Sequence, residues 1–132
     1  MKQTKVFHKH NITYYFNTCF LGDTVTACFW FRQRLMKWRI RLDGIDTAEI
    51  RTRDPVEKKM GIHARTLVRE WCLHKRVNLV CKKFGKFGRI LGVITIKGEE
   101  ESINAKLLRL HLAVPYNGKK KANVVSELSK YS

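Results

Sequence analysis

The stretch "LMKWRIRLDGIDTAEI", residues 35–50, joins two patterns that decide the fold and place a candidate site beside it. Up to residue 42, apolar side chains alternate with cations, a period of two that is typical of a β-strand with one face in a core. The cations of this strand are Lys37, Arg39 and Arg41. After residue 42 the alternation stops, and three acids follow within seven residues, namely Asp43, Asp46 and Glu49.

The acids are unexpected because the chain is strongly basic. It has 27 Lys and Arg against 11 Asp and Glu, a formal net charge of +16 over 132 residues. Such a field predicts a polyanionic partner, with nucleic acid favoured over an anionic membrane surface. Only residues 56–73 come close to the basic amphipathic helix that a membrane surface would require.

The length fits one domain, residues 1–132, with a core at about 12–118 and a short basic C-terminal tail. No apolar run is long enough to predict a membrane span. The first residues lack the apolar core of a signal peptide, so we expect an intracellular protein. We also expect a monomer.

Periodicity along the chain predicts a mainly β arrangement with added helices. Strands are predicted over 12–20, 24–31, 35–42, 76–82 and 89–96. Helices are predicted over 54–72, with Asp54 as N-cap and Pro55 as the first helical residue, over 102–113, and as a short element at 124–128. A helix after the third strand and one or two after the fifth predict an α+β fold built on a five-stranded OB-fold barrel, whose faces commonly bind oligonucleotides.

The four cysteines contain no C-x-x-C pair, which favours reduced thiols in strands or on helix faces. A disulfide, or a zinc site formed by Cys72, His74 and Cys81, is the alternative.

Acids next to a polyanion would repel phosphate, so they need a partner. They can pair with neighbouring arginines, or they can hold a hard divalent cation that also contacts the phosphate. Two further stretches supply candidate members of such a site. "LGDTV" (21–25) places Asp23 at a turn, and "KKFGKFGRIL" (82–91) places Arg89 at the start of a strand.

The motifs "GDTV", "RLDGIDTAE" and "GKFGR", in this order, resemble the staphylococcal nuclease (thermonuclease) family. The resemblance covers residues from about 12 to 118 and includes "EKKMGIHARTLVRE" and "INAKLLRLHLAVPYNG". It implies a calcium-dependent nuclease that hydrolyses DNA and RNA with little sequence specificity. The products would carry 3′-phosphate and 5′-hydroxyl ends.

The resemblance also implies residue roles. The carboxylates of Asp23 and Asp46 and the backbone carbonyl of Thr47 would bind Ca²⁺, and Glu49 would orient and deprotonate the attacking water.

Five basic and aromatic residues would contact the substrate. Arg41 and Arg89 would hold the phosphate and neutralise charge in the transition state. Lys86 and Phe87 would contact the terminal nucleotide, although Phe87 could equally pack beneath its loop. Tyr116 would offer its hydroxyl to a phosphate, or serve as a surface turn residue.

Two positions depart from the family pattern. Leu21 replaces an acid that helps to order the metal's water shell, which predicts weaker calcium binding, and Ala48 replaces a proline, which leaves the loop freer. The alternative function is a non-catalytic OB-fold module that binds nucleic acid, but such family members typically lack several site residues and here the set is complete. A basic protein–protein adaptor has no sequence feature in its favour.

Overall fold

A computed structural model provides the structure of the chain. It describes residues 7–8, 11–21, 23–31, 33–72, 75–84, 89–116 and 124–131. The strands are β1 (Phe7–His8), β2 (Asn11–Leu21), β3 (Thr24–Phe31), β4 (Arg34–Leu42), β5 (Ile45–Asp46), β6 (Arg76–Phe84), β7 (Arg89–Ile96) and β8 (Val114–Pro115). The helices are α1 (Pro55–Cys72), α2 (Ile103–Arg109) and α3 (Val124–Ser129). None of the helices in these residues is long and apolar enough to cross a membrane.

The main sheet has six strands rather than the predicted five, because the short β1 pairs with the start of β2. The strand order is β1-β2-β3-β4-β7-β6, and β2 also pairs with β6. Every pair is antiparallel except β4 with β7, which run parallel. Each of the five long strands therefore has a hydrogen-bonded neighbour on both sides, within a mixed α+β fold.

The first helix begins where the sequence predicts. The Asp54 carboxylate accepts the Val56 N–H at 3.0 Å and the Glu57 N–H at 3.4 Å, so Asp54 is the N-cap. Pro55 follows as the first helical residue, where its missing N–H costs no hydrogen bond.

The second helix is shorter than predicted. The sequence predicts 102–113, but α2 ends at Arg109 because His111 adopts a left-handed φ of 57°. The His111 N–H donates to Leu108 O at 3.1 Å, and the Leu112 N–H donates to Leu107 O at 2.9 Å, the two bonds of a Schellman motif. The motif usually uses glycine at this position, so the apolar pattern alone suggested a longer helix.

The core is formed by the inner face of the sheet and one face each of α1 and α2. Ile40 and Leu42 of β4 are fully buried, as predicted by their alternation with cations. Val68 of α1 and Leu107 of α2 are fully buried in the same cluster. Burial of each such side chain contributes about 1.5–3 kcal/mol.

A second, smaller cluster includes the C-terminal segment. Val124 and Leu128 of α3 are buried with Ala48 and Val114, and Met60 of α1 packs against them. The short helix predicted at the end of the chain is found as α3. It covers the segment that follows β5, so the chain end is packed against the acid-rich region.

Asn104 connects three parts of the structure and is 5% exposed. Its Nδ2 donates to Asp43 O at 2.9 Å and to Gly92 O at 3.1 Å, and its Oδ1 accepts the Ile94 N–H at 3.2 Å. One side chain thus joins α2, β7 and the turn that begins the acid-rich segment. The side chain gives hydrogen-bond partners to the Ile94 N–H and to the carbonyls of Asp43 and Gly92, and buried backbone groups of this kind need such partners.

We expect Asn104→Leu to lower the free energy of unfolding by about 2–4 kcal/mol, because it leaves buried backbone groups without partners. Urea unfolding at constant m-value measures this change. Lys82→Leu, at an exposed position of β6, is the control and should change stability by less than about 1 kcal/mol. Equal effects of the two substitutions would contradict the role given to Asn104.

Candidate active site

Residues 43–50, here called the acid loop, are held at both sides by backbone hydrogen bonds. The loop opens with a turn at Asp43 and Gly44, and the positive φ of 78° at Gly44 suits glycine. The Asp43 N–H donates to Gly92 O at 2.8 Å, and the Tyr116 N–H donates to Gly44 O at 2.9 Å. Ile45 and Asp46 form β5, which pairs with β8, so the loop has a defined course.

Asp23 reaches the acid loop from the turn between β2 and β3. Its backbone carbonyl accepts the Leu42 N–H at 2.8 Å. Its Oδ2 accepts the Thr47 N–H at 3.3 Å, a bond between residues 24 positions apart. Its Oδ1 accepts the Thr24 hydroxyl at 3.1 Å. These contacts bring together the two motifs, "GDTV" and "RLDGIDTAE", that are distant in sequence.

The guanidinium of Arg41 lies between two carboxylates. Its Nη1 is 3.6 Å from Asp23 Oδ2, and its Nη2 is 3.5 Å from Asp46 Oδ1. Nη1 also donates to Leu42 O at 3.0 Å and to Ile45 O at 2.8 Å. The Arg41 and Asp46 side chains are only 15% and 1% exposed, so solvent screens this pair less than it would a surface pair. Of the two arrangements left open by the sequence, pairing with a neighbouring arginine is present in the structure.

Three further predicted site residues lie near Arg41 or on the acid loop. The Tyr116 ring centroid is 5.6 Å from Arg41 Cζ, within the range of a cation–π contact, and Tyr116 is half-buried. Thr47 is 2% exposed, and Glu49 is half-buried two residues later. The structure therefore brings Asp23, Asp46 and Tyr116 into contact with Arg41, and Thr47 into contact with Asp23. Glu49 lies on the same loop as Asp46 and Thr47.

The remaining predicted site residues are located only in part. Arg89 begins β7, and its Cα is in register with Arg39 of the parallel strand β4. Lys86 and Phe87 lie outside the described residues. The roles given to these three residues, and the effect of Leu21 at the end of β2, stay predictions.

The donors in this site suit a hard cation. Asp23 and Asp46 offer carboxylate oxygens. Thr47 follows Asp46 in the acid loop and could add its backbone carbonyl, since its amide already contacts Asp23. Oxygen ligands of this kind are preferred by Ca²⁺ and Mg²⁺ rather than by Zn²⁺. Within the described part of the chain, no group of three or more His, Cys, Asp or Glu side chains could hold a metal ion. A cation bound here would therefore depend on two carboxylates completed by carbonyl, water or substrate oxygens.

Two of the cysteines in the described residues form no disulfide bond. They are Cys72 and Cys81, and both are buried. Burial raises the pKa of Cys81 to about 11, so the protonated thiol is favoured at neutral pH. His74, the third member of the alternative zinc site, lies outside the described residues.

Sequence reasoning missed the importance of Gly61. This residue is buried in α1 where the helix meets the acid loop. A Cβ atom at Gly61 would lie 2.7 Å from Ala48 O, 3.0 Å from Glu49 O and 2.9 Å from Ile50 Cγ1. The helix can approach the loop that carries Glu49 only because residue 61 has no side chain. A glycine in the middle of a strong helical pattern is the signal that could have indicated this close contact.

We expect Gly61→Ala to lower the unfolding free energy by up to about 2 kcal/mol, because overpacking costs about 1–3 kcal/mol and the higher helix propensity of alanine offsets about 1 kcal/mol of that cost. The substitution should also shift the backbone amide resonances of Ala48 and Glu49 in a two-dimensional NMR spectrum. Lys59→Ala, an exposed change in the same helix, is the control and should leave those resonances in place. Unmoved acid-loop resonances in Gly61→Ala would show that the contact is not tight.

Comparison with known protein families gives one match. The family model described as staphylococcal nuclease homologue matches residues 39–131. The matched part contains Arg41, the acid loop, Arg89 and α3, whereas Asp23 precedes it. No curated protein matches the chain. Because the family model spans well over half of the sequence, the chain belongs to the staphylococcal nuclease homologue family.

Proposed function

We propose that this chain is a calcium-dependent nuclease that hydrolyses phosphodiester bonds of DNA and RNA with little sequence specificity, leaving 3′-phosphate and 5′-hydroxyl ends. The observation that carries the proposal is that Arg41 lies 3.6 Å from the carboxylate of Asp23 and 3.5 Å from that of Asp46. Asp46 is on the acid loop, which also holds Glu49. Membership of the nuclease family supports the proposed reaction class.

We also propose that the five long strands form an OB-type barrel. The pairing of β2 with both β3 and β6 supports this arrangement. In such a fold the acid loop, which leaves β4 at Leu42, would lie at one end of the strands beside the turn that carries Asp23.

The proposed metal site consists of the carboxylates of Asp23 and Asp46 with the carbonyl of Thr47. Bound Ca²⁺ would supply positive charge beside the phosphate and favour ionisation of a nearby water. Asp23 and Asp46 already lie beside a cation, Arg41, which offsets part of their mutual repulsion. The site therefore keeps two acids close together in a strongly basic protein.

The proposed chemistry assigns proton transfer to Glu49. Its carboxylate would accept a proton from the water that attacks phosphorus. The electron pair of the breaking P–O5′ bond would leave with the 5′ oxygen, which would take a proton from solvent water to give the 5′-hydroxyl. Arg41 would donate hydrogen bonds to the phosphate oxygens as negative charge accumulates on them. Since the guanidinium contacts Asp46 and two carbonyls in the structure, it is held in place before substrate arrives.

We expect Glu49→Gln to lower the cleavage rate by about 10²–10⁴-fold, because a general base contributes about that factor. Initial rates on an end-labelled oligonucleotide in Ca²⁺ measure the effect, and analysis of the product ends tests the bond that is broken. Glu70→Gln, an exposed acid on α1, is the control and should retain the full rate. Undiminished cleavage by Glu49→Gln would remove Glu49 from the mechanism.

A second prediction tests the metal ligands without using activity. Excess Ca²⁺ should raise the unfolding free energy of the wild-type protein, by about 2.7 kcal/mol at one hundred times the dissociation constant. Asp46→Asn should lose most of this calcium-dependent increment, whatever its stability without metal, because one of two carboxylate ligands is gone.

The comparison uses urea unfolding with Ca²⁺ and with chelator. Glu101→Gln is the control, since Glu101 is paired with Arg109 on the surface and not with the acid loop. If Asp46→Asn keeps the wild-type increment, Asp46 is not a ligand.

Nucleic-acid binding without cleavage is the second candidate function. Two features favour it: Arg41 is engaged by Asp23 and Asp46 in the structure, and Leu21 stands where the family usually has a further acid. Cleavage of a labelled oligonucleotide that starts with Ca²⁺ and stops with chelator would exclude it. Binding with no cleavage under both conditions would favour it over the nuclease.

A further inference from the structure

A hollow of about 240 Å³ lies between α1, the segment that follows α2, and α3. Apolar and aromatic side chains from all three parts line it, among them Met60, His63, His111, Leu112, Leu128 and Tyr131. None of these residues belongs to the candidate active site. A concave surface with mostly apolar walls and a few polar groups is typical of a site for a small ligand.

Two stacked rings give the hollow a rigid side. The ring centroids of His111 and Tyr131 are 3.9 Å apart, and the ring planes differ by 9°. The backbone turn after α2 fixes His111, whose N–H donates to Leu108 O at 3.1 Å. The Tyr131 N–H donates to Leu128 O at 3.0 Å, so the second ring is attached to α3. A rigid aromatic side favours a planar aromatic ring as the ligand, because such rings pack on each other in defined arrangements.

The polar groups around the hollow favour an anion. His63 and His111 each have a ring N–H that donates a hydrogen bond, in the neutral as well as in the protonated form. Lys59 lies one turn before His63 on α1 and lines an adjoining hollow that also contains His63. No acid is among the lining residues that the structure describes. The acid of α3, Glu127, is bonded to Lys130 Nζ at 3.2 Å, so a carboxylate in the hollow meets a cation and N–H donors rather than an unpaired acid.

Two residues of the hollow also hold the acid loop. Leu128 is buried with Ala48 in the small cluster, and Met60 packs against that cluster. Ala48 lies in the acid loop immediately before Glu49. Because closely packed interiors transmit strain, a ligand that moves Met60 or Leu128 also shifts the backbone around Ala48. The hollow is thus connected to the candidate active site by packing.

We propose that this hollow binds a planar aromatic ring that carries a carboxylate, and that its occupation shifts the packing of the acid loop. The ring packs beside the stacked pair of His111 and Tyr131 and against Leu128. The carboxylate accepts a hydrogen bond from the imidazole of His63 and faces the ammonium group of Lys59. Binding depends only on the lining of the hollow, whereas any consequence for Ca²⁺ or for cleavage would rest on the proposed function as well.

The first test is a titration of the full chain with 2-naphthoate, followed by two-dimensional ¹H–¹⁵N NMR in chelator and without nucleic acid. The dissociation constant should be roughly 1 mM, as expected for a ligand of about thirteen heavy atoms. The amide resonances of Leu112, Leu128 and Tyr131 should shift. 2-Naphthylmethylamine, which has a similar shape and a positive charge, should bind about tenfold more weakly. Equal affinities for the two compounds, or shifts confined to another surface, would overturn the proposal.

Variants then locate the ring and the charge. Tyr131→Ala should weaken 2-naphthoate binding roughly fivefold because an aromatic contact is lost, whereas Tyr131→Phe should keep the wild-type affinity. Lys59→Gln should weaken binding about two- to fivefold, as expected for an exposed ionic contact. Its matched control, Lys97→Gln in the turn after β7, removes the same charge and should change the affinity by less than about twofold. Thermal unfolding shows that each variant keeps its fold. If Lys59→Gln and Lys97→Gln have equal effects, or if Tyr131→Ala has none, the hollow is not the site.

The same titration tests the link to the acid loop. Thr47 and Glu49 do not line the hollow, yet their amide resonances should shift with the same dissociation constant as that of Leu112. In Tyr131→Ala these shifts should require the higher ligand concentrations at which that variant binds. Resonances that stay in place, or that follow a separate dissociation constant, would overturn the link. Because the titration uses neither Ca²⁺ nor substrate, failure of the proposed nuclease activity would show only in the Ca²⁺ cleavage assay.

Discussion

The contact of one guanidinium with two carboxylates is the interaction on which the site depends. Asp23 and Asp46 are both buried, and two acids in that position would repel each other if no cation lay beside them. Arg41 lies beside both, and it also donates to the backbone carbonyls of Leu42, at the end of β4, and of Ile45 in the acid loop. The same residue therefore offsets the charge of the acids and fixes the path of the chain, and in the proposed function it would present a preformed donor to the phosphate.

The rest of the structure serves to bring these three residues together. Arg41 lies in β4, Asp23 lies in the turn before β3, and Asp46 lies in the acid loop four residues after β4 ends. Asn104 and Gly61 then hold the acid loop from two different sides, one through hydrogen bonds and the other through close packing. The site is thus held by contacts from β7, α1 and α2, although Asp23 lies in a turn and Asp46 in a strand of only two residues.

Much of this arrangement could be predicted from local patterns, and the exceptions have physical causes. Alternation along β4 predicted which face is buried, and Asp54 with Pro55 predicted the start of α1, because both signals are local. The bond from Thr47 to Asp23 joins distant segments, and only the motif resemblance suggested that they meet. The end of α2 was predicted incorrectly because His111 adopts a conformation that its residue type rarely indicates. The two-residue strands β5 and β8 are too short for any periodicity to reveal.

The pairing of β5 with β8 links the acid loop to a distant part of the chain. Only two residue pairs form this ladder, and α3 covers it through the small cluster of Ala48, Val114 and Leu128. Such a small unit opens more easily than the main sheet. The amides of the acid loop and of the C-terminal segment should therefore exchange their hydrogens with solvent together, as one cooperative subdomain. Shortening the chain before α3 would then loosen residues that lie more than seventy positions away in sequence.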